Sequence, residues 1–324
     1  MAGYGAGGVT MAVRSFEELR EDARRSAPLR PVVAGGEAAE VMAALAAMLE
    51  AGLIGGAVVT GEPAALARLM PPGLDRAIGI EPAFGAQDCA RAAVAAIHAG
   101  RGDVLMKGHV DSGSYLRAVV DQAAGLRQGD VLSNVTVAEM PTLGRLIAAT
   151  DNGIVPLPTL DQKRQIVRNT AALFAGLGIA PVKVAAVCAT EKASDAIPAT
   201  RDAEALARDG LPGFEIGGPM GYDVAVSPEA ARIKGLQDMP AAGAADLLLF
   251  PTIDAANAVA KAWKFHGQAE TGSIVLGASV PVLLNSRSDS AARRVNALLL
   301  AGAVLRGRAQ SRSGGADHRA ALEL

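Results

Sequence analysis

Short β-type apolar runs alternate with alanine-rich helical runs, and no other feature of this chain constrains its fold so tightly. Pro31–Gly35 (PVVAG) reads as a strand. Glu37 to Gly52 follows as a helix, closed by a glycine able to take the left-handed conformation of a C-cap. Ala57–Gly61 is a second strand, Pro63–Leu69 a short helix and 85–99 a longer one. Val104–Gly108 (VLMKG) is a strand that runs into a loop, and Ser114 to Ala124 is a helix. Alternating units of this kind predict a largely parallel sheet with helices on both faces.

Past residue 130 the pattern changes. Leu132–Ala138 and Leu146–Thr150 read as strands, and Asp161 to Gly176 as one helix with Thr159 as its cap. Val182–Ala189 is continuously apolar, the signature of a buried strand. The Gly- and Pro-rich stretch from Asp209 to Gly221 predicts a loop. Ala245–Pro251, Gly272–Leu276 and Pro281–Leu284 supply three more strands, and no internal repeat is visible. The expected class is α/β, with two lobes and a ligand cleft between them.

The 324 residues suffice for that arrangement. Half of them are apolar, but with one Trp, three Tyr and six Phe the core must be built from Ala, Val, Leu and Ile. A net charge of −2 gives no field that would favour nucleic acid or an anionic membrane surface. Two distant cysteines, Cys89 and Cys188, argue against a disulfide framework or a thiolate metal site. Apolar runs such as 41–49 and 297–305 fall short of the ~20 residues that span a bilayer. No secretory h-region precedes residue 22, so the expected location is cytoplasmic. Residues 1–12 and the last ~18, which are polar, read as flexible ends.

Gly5–Gly8 has no strand before it and makes no dinucleotide fingerprint. There is no P-loop, nucleophile elbow or H-E-x-x-H. His98, His109, His266 and His318 are scattered and read as solvated or loop residues. Chemistry is therefore expected from hydroxyls, carboxylates, Arg and Lys, a set suited to phosphate-containing reactants. These gather in four places. Lys107 to Arg117 combines a glycine-bearing loop with Ser112 and Ser114 at a helix start and Arg117 about one turn inside. Taken alone it is also explained by ordinary capping. Arg232 lies on a short helix that reads as a solvated face, and Lys264 stands between Trp263 and Phe265. PVLLNSRSDS (281–290) runs an apolar strand into Ser286, Arg287, Ser288 and Asp289.

In order, these segments resemble the phosphate acetyltransferase/phosphate butyryltransferase family over roughly residues 14 to 304. The resemblance rests on SFEEL (15–19), LMKG (105–108), SYLRAVV (114–120), Thr150-Asp151, LDQKRQIV (160–167), GGPMGYDVAVSPEAARIKG (217–235), GAADLLLFPTIDAANAVAK (243–261) and IVLGASVPVLLNSRSDSA (274–291). LMKG, the DQK helix and SRSDSA are closer to the butyryl-type branch. The resemblance implies a two-lobed α/β/α sandwich like that of isocitrate and isopropylmalate dehydrogenases. Residues 1–131 with 287–324 would form one lobe and 132–286 the other, with the active site in the cleft, in a homodimer. It implies reversible acyl transfer between CoA and phosphate, with coenzyme A as substrate or product, no cofactor and no metal.

Phosphate must be positioned to attack a thioester, and the carbonyl oxygen gains charge as it does so. Arg287 is expected to hold phosphate through its two-pronged guanidinium, Ser286 to donate to the carbonyl or leaving sulfur, and Asp289 to take the thiol proton in the reverse direction. Arg117, Lys107, Ser112, Ser114, Lys264 and Arg232 are the expected substrate- and phosphate-binding residues. Two departures stand out. Where acetyl-type members carry their catalytic Asp further along the helix, this chain has Ala292 and Arg293, which leaves Asp289 between base and helix cap. Lys264 replaces an Arg. Two other readings fit the same segments: a non-catalytic acyl-CoA or acyl-phosphate binder, and a metal- and NAD-dependent dehydrogenase of the wider fold.

Overall fold

The computed structural model describes residues 12–285 and 289–320. The chain opens with helix α1 (Phe16–Arg25), then β1 (Pro31–Ala34), α2 (Ala39–Glu50), β2 (Ala57–Gly61), α3 (Pro63–Leu69) and β3 (Ile78–Pro82). Next come α4 (Gly85–His98), β4 (Val104–Lys107), α5 (Ser112–Val120), β5 (Ser133–Glu139) and β6 (Leu146–Thr150). The middle holds α6 (Leu160–Asn169), α7 (Ala171–Gly176), β7 (Val182–Val187), α8 (Pro198–Asp209) and β8 (Phe214–Met220). The rest is α9 (Tyr222–Val226), α10 (Pro228–Ile233), β9 (Leu247–Leu249), α11 (Ile253–Phe265), β10 (Glu270–Leu276), β11 (Val282–Leu283) and α12 (Ala291–Ala320).

Among the described residues eleven strands join one sheet in the order β3-β2-β1-β4-β11-β10-β5-β6-β9-β7-β8. The three pairings from β11 to β6 are antiparallel and the flanking ones are parallel. Chain direction therefore reverses within the sheet: β3, β2, β1, β4, β11 and β5 run one way, and β10, β6, β9, β7 and β8 the other. On one face Val33, Met106, Val135, Ala148, Val184 and Leu247 belong to a single apolar cluster, covered by α1, α2, α6, α7 and α12. The opposite face is split. Val32, Leu105 and Val282 pack with α4 and α5, while Ile147, Ala185 and Leu248 pack with α9 and α11.

Four local departures from the sequence reading have physical causes. The segment 209–221 is not all loop: Phe214–Met220 is strand β8. It lies at the sheet edge, where Pro219 interrupts no second ladder. Its Gly217 sits so close to the chain that a Cβ would meet the Pro240 carbonyl at 1.8 Å. The helix over 161–176 breaks at Thr170, whose hydroxyl donates back to the Val167 carbonyl at 2.7 Å. The helix from 114 stops at Val120, because the Asp121 carboxylate accepts the N–H groups of Ala123 and Ala124 and turns the chain. Residues 306–320, polar in composition, continue α12. There Arg308 donates to the carbonyls of Ala278 and Ser279 at 2.8 and 2.6 Å.

Candidate active site

The carboxyl ends of β1, β4 and β11 meet at one end of the sheet, through the registers Val33↔Met106 and Leu283↔Met106. In open α/β sheets such ends are where ligands bind, because the following loops and helix starts converge there. A cavity of about 360 Å³ opens at this place, lined among others by Glu40, Val41, Ala86, Lys107, Asn285 and Arg294. Close packing shapes it. Gly108 lies against the turn after β1, where a Cβ would meet the Gly35 carbonyl at 1.9 Å. The N–H of His109 donates to the same carbonyl at 2.6 Å. Tyr115 is wholly buried beneath, its hydroxyl directed at the carbonyls of Leu105 and Leu283 at 3.1 and 3.2 Å. Burial raises that phenol well above its usual range.

Lys107, the last residue of β4, is 5% exposed and lines the cavity. Asp111 and His109 border it too. Asp111 caps α5, accepting the Ser114 N–H at 2.8 Å, and the Ser114 hydrogen bonds hold its carboxyl below the usual range. Ser114 and Arg117 do not line the Lys107 cavity. Arg117 donates to the Ser114 hydroxyl at 3.1 Å, and both line a separate groove of about 700 Å³ between α4 and α5, with Arg91, His98 and Asp121. Ser112 is exposed at the start of α5.

Ser286 and Arg287 lie outside the described residues. Their flanks are described. Asn285 on one side is 4% exposed and its Oδ1 is buried without a hydrogen-bond partner. On the other side the Asp289 carboxylate takes the Lys264 ammonium at 3.3 Å, with both side chains largely buried. The next residue, Ser290, supplies a hydroxyl to the Arg293 N–H at 3.4 Å and so caps α12. Lys264 reaches this place because α11 ends here and because Trp263, one residue earlier, is buried with its ring N–H on the Tyr222 hydroxyl at 2.8 Å. Arg232 is elsewhere in character, paired with Glu229 at 2.7 Å on an exposed helix face.

Asn285, Arg294 and the start of α2 are the cavity residues that the sequence reading passes over. The readable signal was the pair Gly35-Gly36 at the end of a strand, opening a helix that has no Ser, Thr, Asp or Asn at its cap. Among the described residues no cluster of three or more His, Cys, Asp or Glu is arranged to hold a metal. No described helix is long and apolar enough to cross a membrane.

The fold is that of phosphotransacylases. A branched-chain phosphotransacylase from Enterococcus faecalis superposes with a TM-score of 0.77 at 25% identity, over 85% of this chain and 98% of that one. A 4-hydroxythreonine-4-phosphate dehydrogenase from Klebsiella pneumoniae shares the fold more distantly, with a TM-score of 0.51 at 14% identity over 86% and 99%. The architecture is thus the dehydrogenase-like α/β fold. In sequence, the phosphate butyryltransferase of Clostridium acetobutylicum is 36% identical over 216 residues, 65% of this chain and 71% of that protein. The phosphate acetyltransferase of Thermotoga maritima is 38% identical over 208 residues, 63% and 70% of the two chains. Residues 84–302 match the phosphate acetyl/butaryl transferase family, and this chain belongs to that family.

Proposed function

We propose that this protein catalyses the reversible transfer of a short acyl group, acetyl or butyryl, between coenzyme A and inorganic phosphate. A phosphate oxygen attacks the thioester carbonyl, the C–S bond breaks, and acyl phosphate and CoA leave, the thiolate taking a proton. The observation that carries this reading is the cavity at the ends of β1, β4 and β11. Lys107, Asn285 and Arg294 line it and, with the Lys264–Asp289 pair, bracket the segment that holds Ser286 and Arg287. Arg287 binds the phosphoryl oxygens, Ser286 donates to the developing oxyanion or the leaving sulfur, and Asp289 receives the thiol proton in the reverse reaction. Lys264 holds the Asp289 carboxylate in place. Arg117, exposed on α5, lines the α4/α5 groove and not the Lys107 cavity, and its role is to meet an anionic part of CoA from that side.

The reading further includes the division into lobes at 131–132 and 286–287, a homodimer, a cytoplasmic location and no requirement for a redox cofactor or metal. The identities to acetyl- and butyryl-type relatives are nearly equal, so the acyl group is set by assay. Purified protein with acetyl-, propionyl- or butyryl-CoA should release thiol, read with DTNB, only when phosphate is present. No phosphate-dependent release from any of the three would refute the proposal. Arg287→Ala should lower turnover about 10²-fold or more.

A further inference from the structure

Helix α2 starts at the cavity with no side-chain cap, its N-cap being Ala38. The Val41 N–H donates to the Ala38 carbonyl at 3.1 Å, while the first two N–H groups, those of Ala39 and Glu40, have no carbonyl within the helix to meet. Ala86, at the start of α4, lines the same cavity, and α4 also lacks a side-chain cap at Phe84. Across from them stands Asn285, 4% exposed, with Oδ1 buried and unpartnered. Buried amides are nearly always paired, so an unpaired one at a cavity wall points to a ligand that completes it. The amide can turn to present its NH₂ group as donor. Arg294, one turn into α12, adds a guanidinium, and Lys107 a buried ammonium. Of the two bordering carboxylates, Asp111 is engaged by the Ser114 N–H and Glu40 is exposed on α2. A volume of about 360 Å³ suits one small anion and its water far better than a whole CoA molecule.

We propose that this cavity seats a phosphoryl dianion, held by the Ala39 and Glu40 N–H groups at the start of α2, the amide of Asn285 and the guanidinium of Arg294. Helix starts and guanidinium forks both match the tetrahedral oxygens of such a group. The inference rests on the acyl-transfer reading, in which two sources carry this chemistry: free phosphate (or the acyl phosphate) and the 3′-phosphate of CoA.

Binding of inorganic phosphate to the full chain, followed by calorimetry and by the rise in Tm with chloride as the ionic-strength control, tests the seat without turnover. Arg294→Gln and Asn285→Asp should each weaken phosphate binding about tenfold or more, with Arg294→Lys recovering part of the loss. Melting curves without phosphate identify a variant that has merely lost its fold, and Arg294→Gln then stands in for Asn285→Asp. In turnover, a raised KM for phosphate with kcat and the acyl-CoA KM unchanged assigns the seat to free phosphate. A raised KM for acyl-CoA that disappears with acyl-dephospho-CoA assigns it to the 3′-phosphate. Wild-type phosphate affinity and unchanged KM values in both variants overturn the proposal. If phosphate binds but no acyl-CoA supports thiol release, the acyl-transfer reading falls and the anion seat stands.

Discussion

Asp289 can be tested apart from its neighbours, because the capping hydroxyl of α12 comes from Ser290 and the Asp289 carboxylate pairs with Lys264. Asp289→Asn is expected to slow acyl-CoA formation from acyl phosphate about 10²-fold or more and also to lower Tm, because it leaves the largely buried Lys264 ammonium without its carboxylate. A lowered Tm with normal turnover would make the residue structural. Tyr115 is a second residue whose worth is specific. Removing its hydroxyl takes away the one proton that the Leu105 and Leu283 carbonyls of adjacent strands share, in a wholly buried place. Tyr115→Phe should cost about 1–2 kcal/mol, read as a shift in the urea midpoint with unchanged slope. Gly108→Ala is harsher, since the new Cβ has no room beside the Gly35 carbonyl. It should destabilise by roughly 3 kcal/mol or more and abolish the cavity's shape, visible as loss of both Tm and turnover.

Among elements, the loop after β7 is joined to α9 and α10 by Lys234, which contacts Glu191 at 2.8 Å and Asp223 at 2.9 Å. The hydrogen bond from Lys234 is the main cause that lowers both carboxyls below their ordinary values of 4.5 and 3.8. A depressed folded-state pKa gives stability that is present above the ordinary value and lost as pH falls through the depressed one. Acid titration of stability should therefore decline below about 4, and Lys234→Met should flatten that decline. Elements with strong apolar runs, such as β4, β6 and α3, were legible in the sequence to within a residue. Those that failed did so for reasons of tertiary context. β8 is a strand because an edge position tolerates its proline, and α12 extends because Arg308 finds two backbone acceptors. α1 buries little beyond Phe16 and Leu19, too weak a pattern to read before its packing is known.

At the scale of the molecule, α12 closes the shared face of the sheet with Ala297, Leu298, Leu299, Leu300, Ala301, Ala303 and Val304, none more than 2% exposed. A chain ending before Ala291 should fail to accumulate as soluble monomer or oligomer, whereas one ending after Arg312 should retain its far-UV spectrum and Tm. Loss of solubility in the second truncation would show that the remaining turns of the helix are needed. The sequence revealed the strand-end location of Lys107 and Asn285's neighbours but not their partners. Arg117 and Lys107 are ten residues apart in one motif, yet the pitch of α5 sends them into different cavities.

The reversal of chain direction within the sheet has an electrostatic consequence. Helices α2, α4 and α5 begin at the cavity, while α11 ends near it at Lys264. Each helix carries about half a positive charge at its start and half a negative charge at its end. Three positive dipole ends thus converge on the cavity, that of α5 capped by the Asp111 carboxylate, while at the end of α11 the Lys264 ammonium is paired with Asp289 and the Lys107 ammonium and Arg294 guanidinium add to the positive side. A chain of net charge −2 thereby assembles a locally positive potential from backbone orientation, so capture of anionic reactants should weaken as ionic strength rises even though composition alone gives no hint of it.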